Sequence, residues 1–466
     1  MFLPDLVVRG RRIVTPRGIH PGAIHVRNGR IIGVVDFDDV PAGCTVDDVA
    51  DCAVLPGLVD PLVHVRDHGE SAADAFERTT RAAAAGGVTT IVAMPFDGGV
   101  PTTSAAALES KCRAAQGHCV VDIGFWGGVV PDNQRELESL LHAGALGFSC
   151  GLISSSDDAC VPVSEAELRA ATPVLARLGA PLLVHAELPA AIDRAAVQQL
   201  ADRTWIDRLP GLSSTARRYT TYLNRRPKAA ETEAIAMLIQ LCRESRVPIH
   251  VAPLSSSDAL TPIFHARSAR LPISATTCPH YLFFVADEVP NGAIEYTCAP
   301  PIRERENREF LWAALAGGLI QSVATDHRPG PASFGNRNFL QARGGIASLH
   351  LSLSIIWTEA RARAYTLEQL VLWMCSAPAR LAGLDRKGSI AVGYDADLVV
   401  FDSEAAFTVE AETVDAQVGV TPYQGRRLRG CIQRTYLRGV RVYEHSKRLP
   451  NACGGRFLLH RQTSRV

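Results

Sequence analysis

The chain contains no apolar run that reaches the roughly 18–20 residues needed to span a bilayer. It also lacks an excess of either charge, since 48 Lys and Arg residues stand against 48 Asp and Glu residues. No basic field therefore favours nucleic acid or an anionic membrane surface. The first residues lack the charged segment and the long apolar core of a secretion signal. We expect a cytoplasmic protein that binds neither nucleic acid nor membranes.

Regularly spaced cysteines are missing as well. The 12 cysteines are scattered along 466 residues and form no Cys-x-x-Cys pair. This distribution favours reduced thiols over a disulfide framework or a structural zinc site. A chain of this length suggests one large domain and a smaller one.

The central part of the chain alternates between strand-like and helix-like stretches. Short apolar runs typical of buried parallel strands begin near Leu58, Val88, Val120, Ala145, Pro181, Pro248, Pro272 and Ser322. Amphipathic stretches, such as 104–116 and 229–245, lie between most of them. Eight strands alternating with helices over roughly 270 residues predict an α/β fold, the (β/α)8 TIM barrel. A doubly wound sheet is the competing topology, but no Gly-x-Gly-x-x-Gly follows a first strand.

Both ends of the chain differ from this pattern. Residues 5–54 and the residues after Arg386 contain short alternating stretches typical of half-buried strands. Two β-rich flanks around a barrel suit one small sandwich built from both termini. Residues from about 403 to 430 look rich in loops.

Eight segments, in this order and spacing, resemble the cyclic amidohydrolases, a group that includes dihydroorotase, dihydropyrimidinase, hydantoinase and allantoinase. The segments are 55–66, 81–90, 124–130, 277–282, 298–303, 344–349, 377–383 and 421–423. The resemblance covers nearly the whole chain and is closest to allantoinase. It implies a sandwich formed by residues 1–54 and 387–466 around a barrel formed by residues 55–386.

The resemblance also implies two divalent metal ions bridged by a carboxylated lysine. The ligands would be four histidines, the lysine and an aspartate, and a metal-bound hydroxide would attack a ring amide. His64, His185 and Asp326 match three of the six ligand positions. The other three positions hold Leu62, Ser149 and Pro253. An aliphatic side chain cannot bind zinc, and serine lacks the amine that forms the carbamate.

This degenerate metal site predicts an allantoinase-like protein without the binuclear centre and with no metal cofactor. We interpret it as a pseudoenzyme, or as a metal-free enzyme acting on a related ring. His64, His185 and Asp326 would then be catalytic, and Arg66, His68 and His327 would bind substrate. Asp326 should contact a histidine, either His64 or His185.

Two alternatives remain open. The first is an active hydrolase of C–N bonds in cyclic amides, with one weakly bound zinc on His64, His185 and Asp326. The second is a scaffold or assembly partner of an active homologue. The resemblance implies a homo-oligomer, or a hetero-oligomer with a related protein, and a cyclic amide or ureide ligand. Other histidines that could replace a lost ligand include His250 and His280, which we interpret as core or loop residues.

Overall fold

The structure of the protein is a computed structural model. It describes residues 3–66, 70–97, 99–154, 161–201, 217–329, 338–342, 344–410, 420–447, 449 and 453–460.

The strands and helices follow one another in the order that the sequence predicts. The strands are β1 (Leu6–Thr15), β2 (Gly18–Arg27), β3 (Arg30–Val35), β4 (Thr45–Asp48), β5 (Ala53–Pro56), β6 (Leu58–Val63), β7 (Val88–Ala93), β8 (Asp122–Phe125), β9 (Gly127–Gly128), β10 (Phe148–Gly151), β11 (Leu182–His185), β12 (Ile249–Val251), β13 (Ile273–Thr277), β14 (Ser322–Val323), β15 (Leu398–Thr408), β16 (Arg427–Leu437) and β17 (Val440–Glu444). The α-helices are α1 (Ala72–Ala85), α2 (Ala105–Ala115), α3 (Leu137–His142), α4 (Glu165–Leu178), α5 (Pro189–Ala201), α6 (Tyr219–Arg225), α7 (Lys228–Ser245), α8 (Leu260–Ser268), α9 (Pro279–Phe283), α10 (Arg305–Ala316), α11 (Ser352–Ala362), α12 (Leu367–Val371) and α13 (Ala377–Leu381).

Strands β6 to β14 form the predicted barrel. Parallel pairing joins β6, β7 and β8, and a second run joins β9 through β14 in chain order. The barrel closes where His327 returns to β6: its backbone N–H donates to the carbonyl of Leu62 at 3.1 Å, and its carbonyl accepts from the N–H of His64 at 2.9 Å. Each of the eight predicted strands begins within about three residues of its expected position.

Both chain ends contribute to one β-rich domain, as predicted. Its eight-stranded sheet has the order β17-β16-β15-β5-β1-β2-β3, with β4 paired to β1. Parts of β15 and β16 fall in the strand-like stretches after Arg386, but their extension into residues 403–408 and 427–430 was not predicted, because that region looked rich in loops. The described end of the chain, residues 453–460, lies against the barrel. There the Ile123 N–H of β8 donates to the carbonyl of Arg456 at 3.0 Å.

Helix α7, which directly precedes β12, supports the loop that carries Pro253. Helix α7 buries Ala230, Ala234 and Leu238 at helical spacing against the barrel. Glu231, on the same helix, is buried and accepts the backbone N–H groups of Ser255 and Ser256 at 2.9 and 3.0 Å. The backbone that follows Pro253 is therefore fixed by hydrogen bonds to the buried carboxylate of Glu231.

Two further expectations concern the described residues. Their cysteines are all free thiols. No helix among them is both long enough and apolar enough to cross a membrane.

Candidate functional site

All six predicted metal-ligand positions face one cavity at the C-terminal ends of the barrel strands. The cavity has a volume of about 500 Å³. Its described wall includes Leu62, His64, Met94, Phe96, Ser149, His185, Arg225, Arg226, Pro253, Asp326, Arg328, Phe339 and Leu340. The structure brings these six positions together because residues at the ends of parallel barrel strands meet at one face.

His64 is held by contacts on both ring nitrogens. Its Nδ1 lies 2.9 Å from Asp97 Oδ1, and its Nε2 lies 2.9 Å from Arg328 Nη2. A guanidinium only donates hydrogen bonds. We therefore assign the proton of His64 to Nδ1, which donates to Asp97, and the lone pair of Nε2 to the bond from Arg328. The ring nitrogen Nε2 of His64 therefore accepts a hydrogen bond from Arg328.

Asp326 makes the contact with a histidine that the sequence predicts. Its Oδ1 lies 3.4 Å from His64 Nε2. Burial alone would raise the pKa of Asp326, but the positive charge of Arg328 outweighs burial and the pKa is lowered to about 2. Asp326 is therefore an ionised carboxylate at neutral pH, placed beside an imidazole and a guanidinium.

His185 belongs to a second charged group on the cavity wall. Its Nε2 lies 3.0 Å from Oε2 of the fully buried Glu187, which also pairs with Arg226 Nη1. Burial would raise the pKa of Glu187, but the charge of Arg226 and the contact with His185 lower it to about 2. Glu187 therefore ties His185 and Arg226 together.

The predicted substrate-binding residues do not share this cavity as far as they are described. His327 is buried, and its Nδ1 accepts the backbone N–H groups of Ser348 and Leu349, each at 3.3 Å. Arg66 is not part of the described cavity wall. His68 lies outside the described residues.

His250 and His280 are core residues, as we interpreted them. His250 is buried between the hydroxyls of Ser274 and Thr276, at 2.7 and 2.6 Å, and burial lowers its pKa to about 3. His280 is buried against the ring of Tyr281. Neither histidine lines the described cavity wall.

Sequence reasoning missed four of the charged residues around the cavity: Asp97, Glu187, Arg226 and Arg328. One of them had a usable signal. Glu187 follows His185 by two positions, a spacing that keeps side chains on one side of an extended segment. Asp97 and Arg226 lie outside the barrel strands, and no pattern links them to the site.

The donor atoms around the cavity do not fit a binuclear metal centre. Leu62 and Pro253 have no side-chain donor, and Ser149 offers a hydroxyl where a lysine carbamate would bridge two ions. His64 Nε2 already accepts from Arg328. Within the part of the chain that the structure describes, no three His, Cys, Asp or Glu side chains group as a metal site requires.

Comparison with known proteins identifies the family. The sequence pattern described as "Amidohydrolase family" matches residues 53–442, most of the chain. The chain belongs to the amidohydrolase family. It is 42% identical to an allantoinase from Streptomyces avermitilis over 439 residues, which cover 94% of this chain and 95% of that protein. It is 37% identical to an allantoinase from Arabidopsis thaliana, with 96% of this chain and 90% of that protein covered.

Solved structures of a hydantoinase and a dihydropyrimidinase share the fold. The L-hydantoinase (dihydropyrimidinase) from Arthrobacter aurescens superposes with a TM-score of 0.87 at 30% identity, covering 98% of this chain and 100% of that one. The dihydropyrimidinase from Brevibacillus agri gives a TM-score of 0.86 at 26% identity, with 98% of each chain covered. The barrel with its β-sandwich domain is thus shared along nearly the full chain.

Proposed function

We propose that this amidohydrolase is an allantoinase relative that has lost the binuclear metal centre and binds a small cyclic ureide, or a ring-opened ureide, without hydrolysing it through metals. The single observation that carries this proposal is the 2.9 Å hydrogen bond from Arg328 Nη2 to His64 Nε2. That nitrogen is the atom with which His64 would bind a metal, and it is occupied by a group that stays charged at every physiological pH.

The charge on Arg328 weakens metal binding beyond the effect of the three missing ligands. A divalent cation at His64 and Asp326 would have to displace the guanidinium while Arg328 remained anchored at the cavity. Two positive groups would then share a site walled partly by Leu62, Phe96 and Pro253. Like charges repel more strongly where apolar walls exclude water. The arginine therefore supports a metal-free cavity.

The same geometry favours binding over acid–base catalysis. His64, His185 and Asp326 keep functional roles in this proposal, as parts of the binding surface. A carboxylate whose pKa lies about 2, as that of Asp326 does, is a weak general base at neutral pH. The lone pair of His64 Nε2 is already used by Arg328. A cyclic amide or ureide would thus meet fixed polar groups rather than a poised base.

An assay of allantoin and dihydroorotate hydrolysis tests the proposal. Purified protein should show no turnover above the buffer blank, with or without added Zn²⁺, Mn²⁺ or Co²⁺, because no group is placed to activate water. The Streptomyces avermitilis allantoinase, assayed in parallel, provides the positive control. Zinc-dependent turnover that is lost in Asp326→Asn would contradict the proposal and favour a mononuclear hydrolase.

A role as a scaffold would rest on association with a second chain. Self-association, or pairing with a related protein, stays a prediction, and sedimentation at micromolar concentration would measure it.

A further inference from the structure

The described wall of the cavity carries more positive than negative charge. Arg225, Arg226 and Arg328 line it, and Asp326 is the only acidic residue among the described wall residues. The buried carboxylate of Glu187 offsets Arg226, and Asp326 offsets Arg328. Within the described part of the chain no ion pair joins Arg225 to an acidic residue. One positive charge is therefore left over, which matches a ligand with a single negative charge.

Arg328 keeps donors available for such a ligand. Among the described residues, its Nη2 donates to His64 Nε2, and its Nε–H is buried without a hydrogen-bond partner. A buried donor without a partner is costly unless something accepts from it. The planar guanidinium offers paired N–H groups at the spacing of two carboxylate oxygens.

The backbone makes room for this arginine. Gly345, at φ +152°, lies so close that a Cβ added there would come within 2.6 Å of Arg328 Cγ. A larger residue at position 345 would displace the aliphatic part of the Arg328 side chain. The segment that includes Gly345 therefore fixes the guanidinium at the cavity.

The surroundings strengthen the attraction of Arg328 for an anion. Met94, Phe96, Phe339 and Leu340 form apolar parts of the same wall. Apolar walls lower the local dielectric constant and make a charge pair stronger than it is in water. A cavity of about 500 Å³ holds a small organic molecule.

We infer that the cavity binds a ureido monocarboxylate, the chemical class that results when water opens a cyclic ureide, with the carboxylate on Arg328 and with Arg225 supplying the balancing charge. This inference rests on the proposed function and specifies its ligand. A neutral ring lacks the carboxylate that would satisfy the buried Nε–H of Arg328. The open acid should therefore be preferred to the ring from which it derives.

Calorimetric titration of the metal-free protein with allantoate and with allantoin tests the inference, in a buffer that contains a chelator. Allantoate should bind about tenfold or more tightly than allantoin, and its affinity should fall as salt is raised. Arg328→Met should lose about tenfold or more of the allantoate affinity and less of the weak allantoin affinity, so that the preference for allantoate falls. Arg328→Lys should be intermediate, because it keeps the charge but not the paired donors.

Two further variants separate a local effect from misfolding. Gly345→Ala should weaken allantoate binding through displacement of Arg328. Arg113→Met, at an exposed position on α2, should change neither binding nor the melting temperature. Equal affinity for the two probes, no binding of allantoate, or an Arg328→Met protein that binds allantoate like the wild type would each overturn the inference. Zinc-dependent hydrolysis would instead contradict the proposed function, so a failure of the inference can be told apart from a failure of the proposed function.

Discussion

A variant that combines Leu62→His, Ser149→Lys, Pro253→His and Arg328→Ala should bind about two zinc ions per chain. The three ligand replacements without Arg328→Ala should bind well under two. The reason is that the described barrel already places these positions around one cavity, whereas Arg328 still occupies His64 Nε2 in the triple variant. The effects of replacing residues that form one site are not additive, so each single replacement should change zinc binding little.

Elemental analysis after dialysis measures this series, with melting temperature as the check on folding. Arg328→Ala alone is the matched control and should gain no tightly bound zinc, because Leu62, Ser149 and Pro253 remain. If the triple variant binds as much zinc as the quadruple variant, Arg328 is not what blocks the site. If the folded quadruple variant binds none, the cavity has been reshaped beyond its ligands.

Replacing the buried Glu187 should lower the free energy of unfolding more than replacing a glutamate in an exposed ion pair. Glu187→Gln removes the charge that pairs with Arg226, whose side chain is 18% exposed, while Glu187 itself is 0% exposed. Breaking a buried pair leaves an uncompensated charge, and we expect a loss of about 3 kcal/mol in the free energy of unfolding. Glu233→Gln is the control on the neighbouring helix α7, because its pair with Arg194 is exposed and should contribute under about 1 kcal/mol.

The pH dependence of that loss provides a second signature. The pKa of Glu187 is about 2 in the folded protein, against about 4.3 in an unfolded chain. The stabilisation is therefore complete above about pH 5 and is lost as the pH falls from about 4.3 towards 2. Urea unfolding should show a constant difference between wild type and Glu187→Gln from pH 8 to about 5, and a smaller one near pH 3. A difference that grows in acid would contradict the pairing.

The fold was predictable because it depends on periodic patterns. The apolar runs at Leu58, Val88 and Ser322 begin strands at those residues, and the helix over 104–116 begins after Ser104, which caps α2. The facing ends of β15 and β16, residues 403–408 and 427–430, were not predicted, because they pair across about 20 positions or more in a segment with weak alternation.

The six positions around the cavity could be predicted because they lie on the barrel strands or just beyond the ends of those strands. Leu62, Ser149 and His185 lie on strands, and their direction follows from alternation. Alternation gives no direction for Asp326 and His327, because both follow the end of β14 and Asp326 has a φ of +45°. The bond between Arg328 and His64 could not be inferred, because it depends on where a long, flexible side chain turns after it leaves the backbone.

The number of zinc ions retained by the wild-type protein tests the central claim most directly. The protein should be loaded with excess zinc, dialysed against a mild chelator and measured by elemental analysis. With Arg328 on His64 Nε2 and no donor at Leu62 or Pro253, we expect well under one zinc ion per chain. Two zinc ions per chain surviving this treatment would contradict the account.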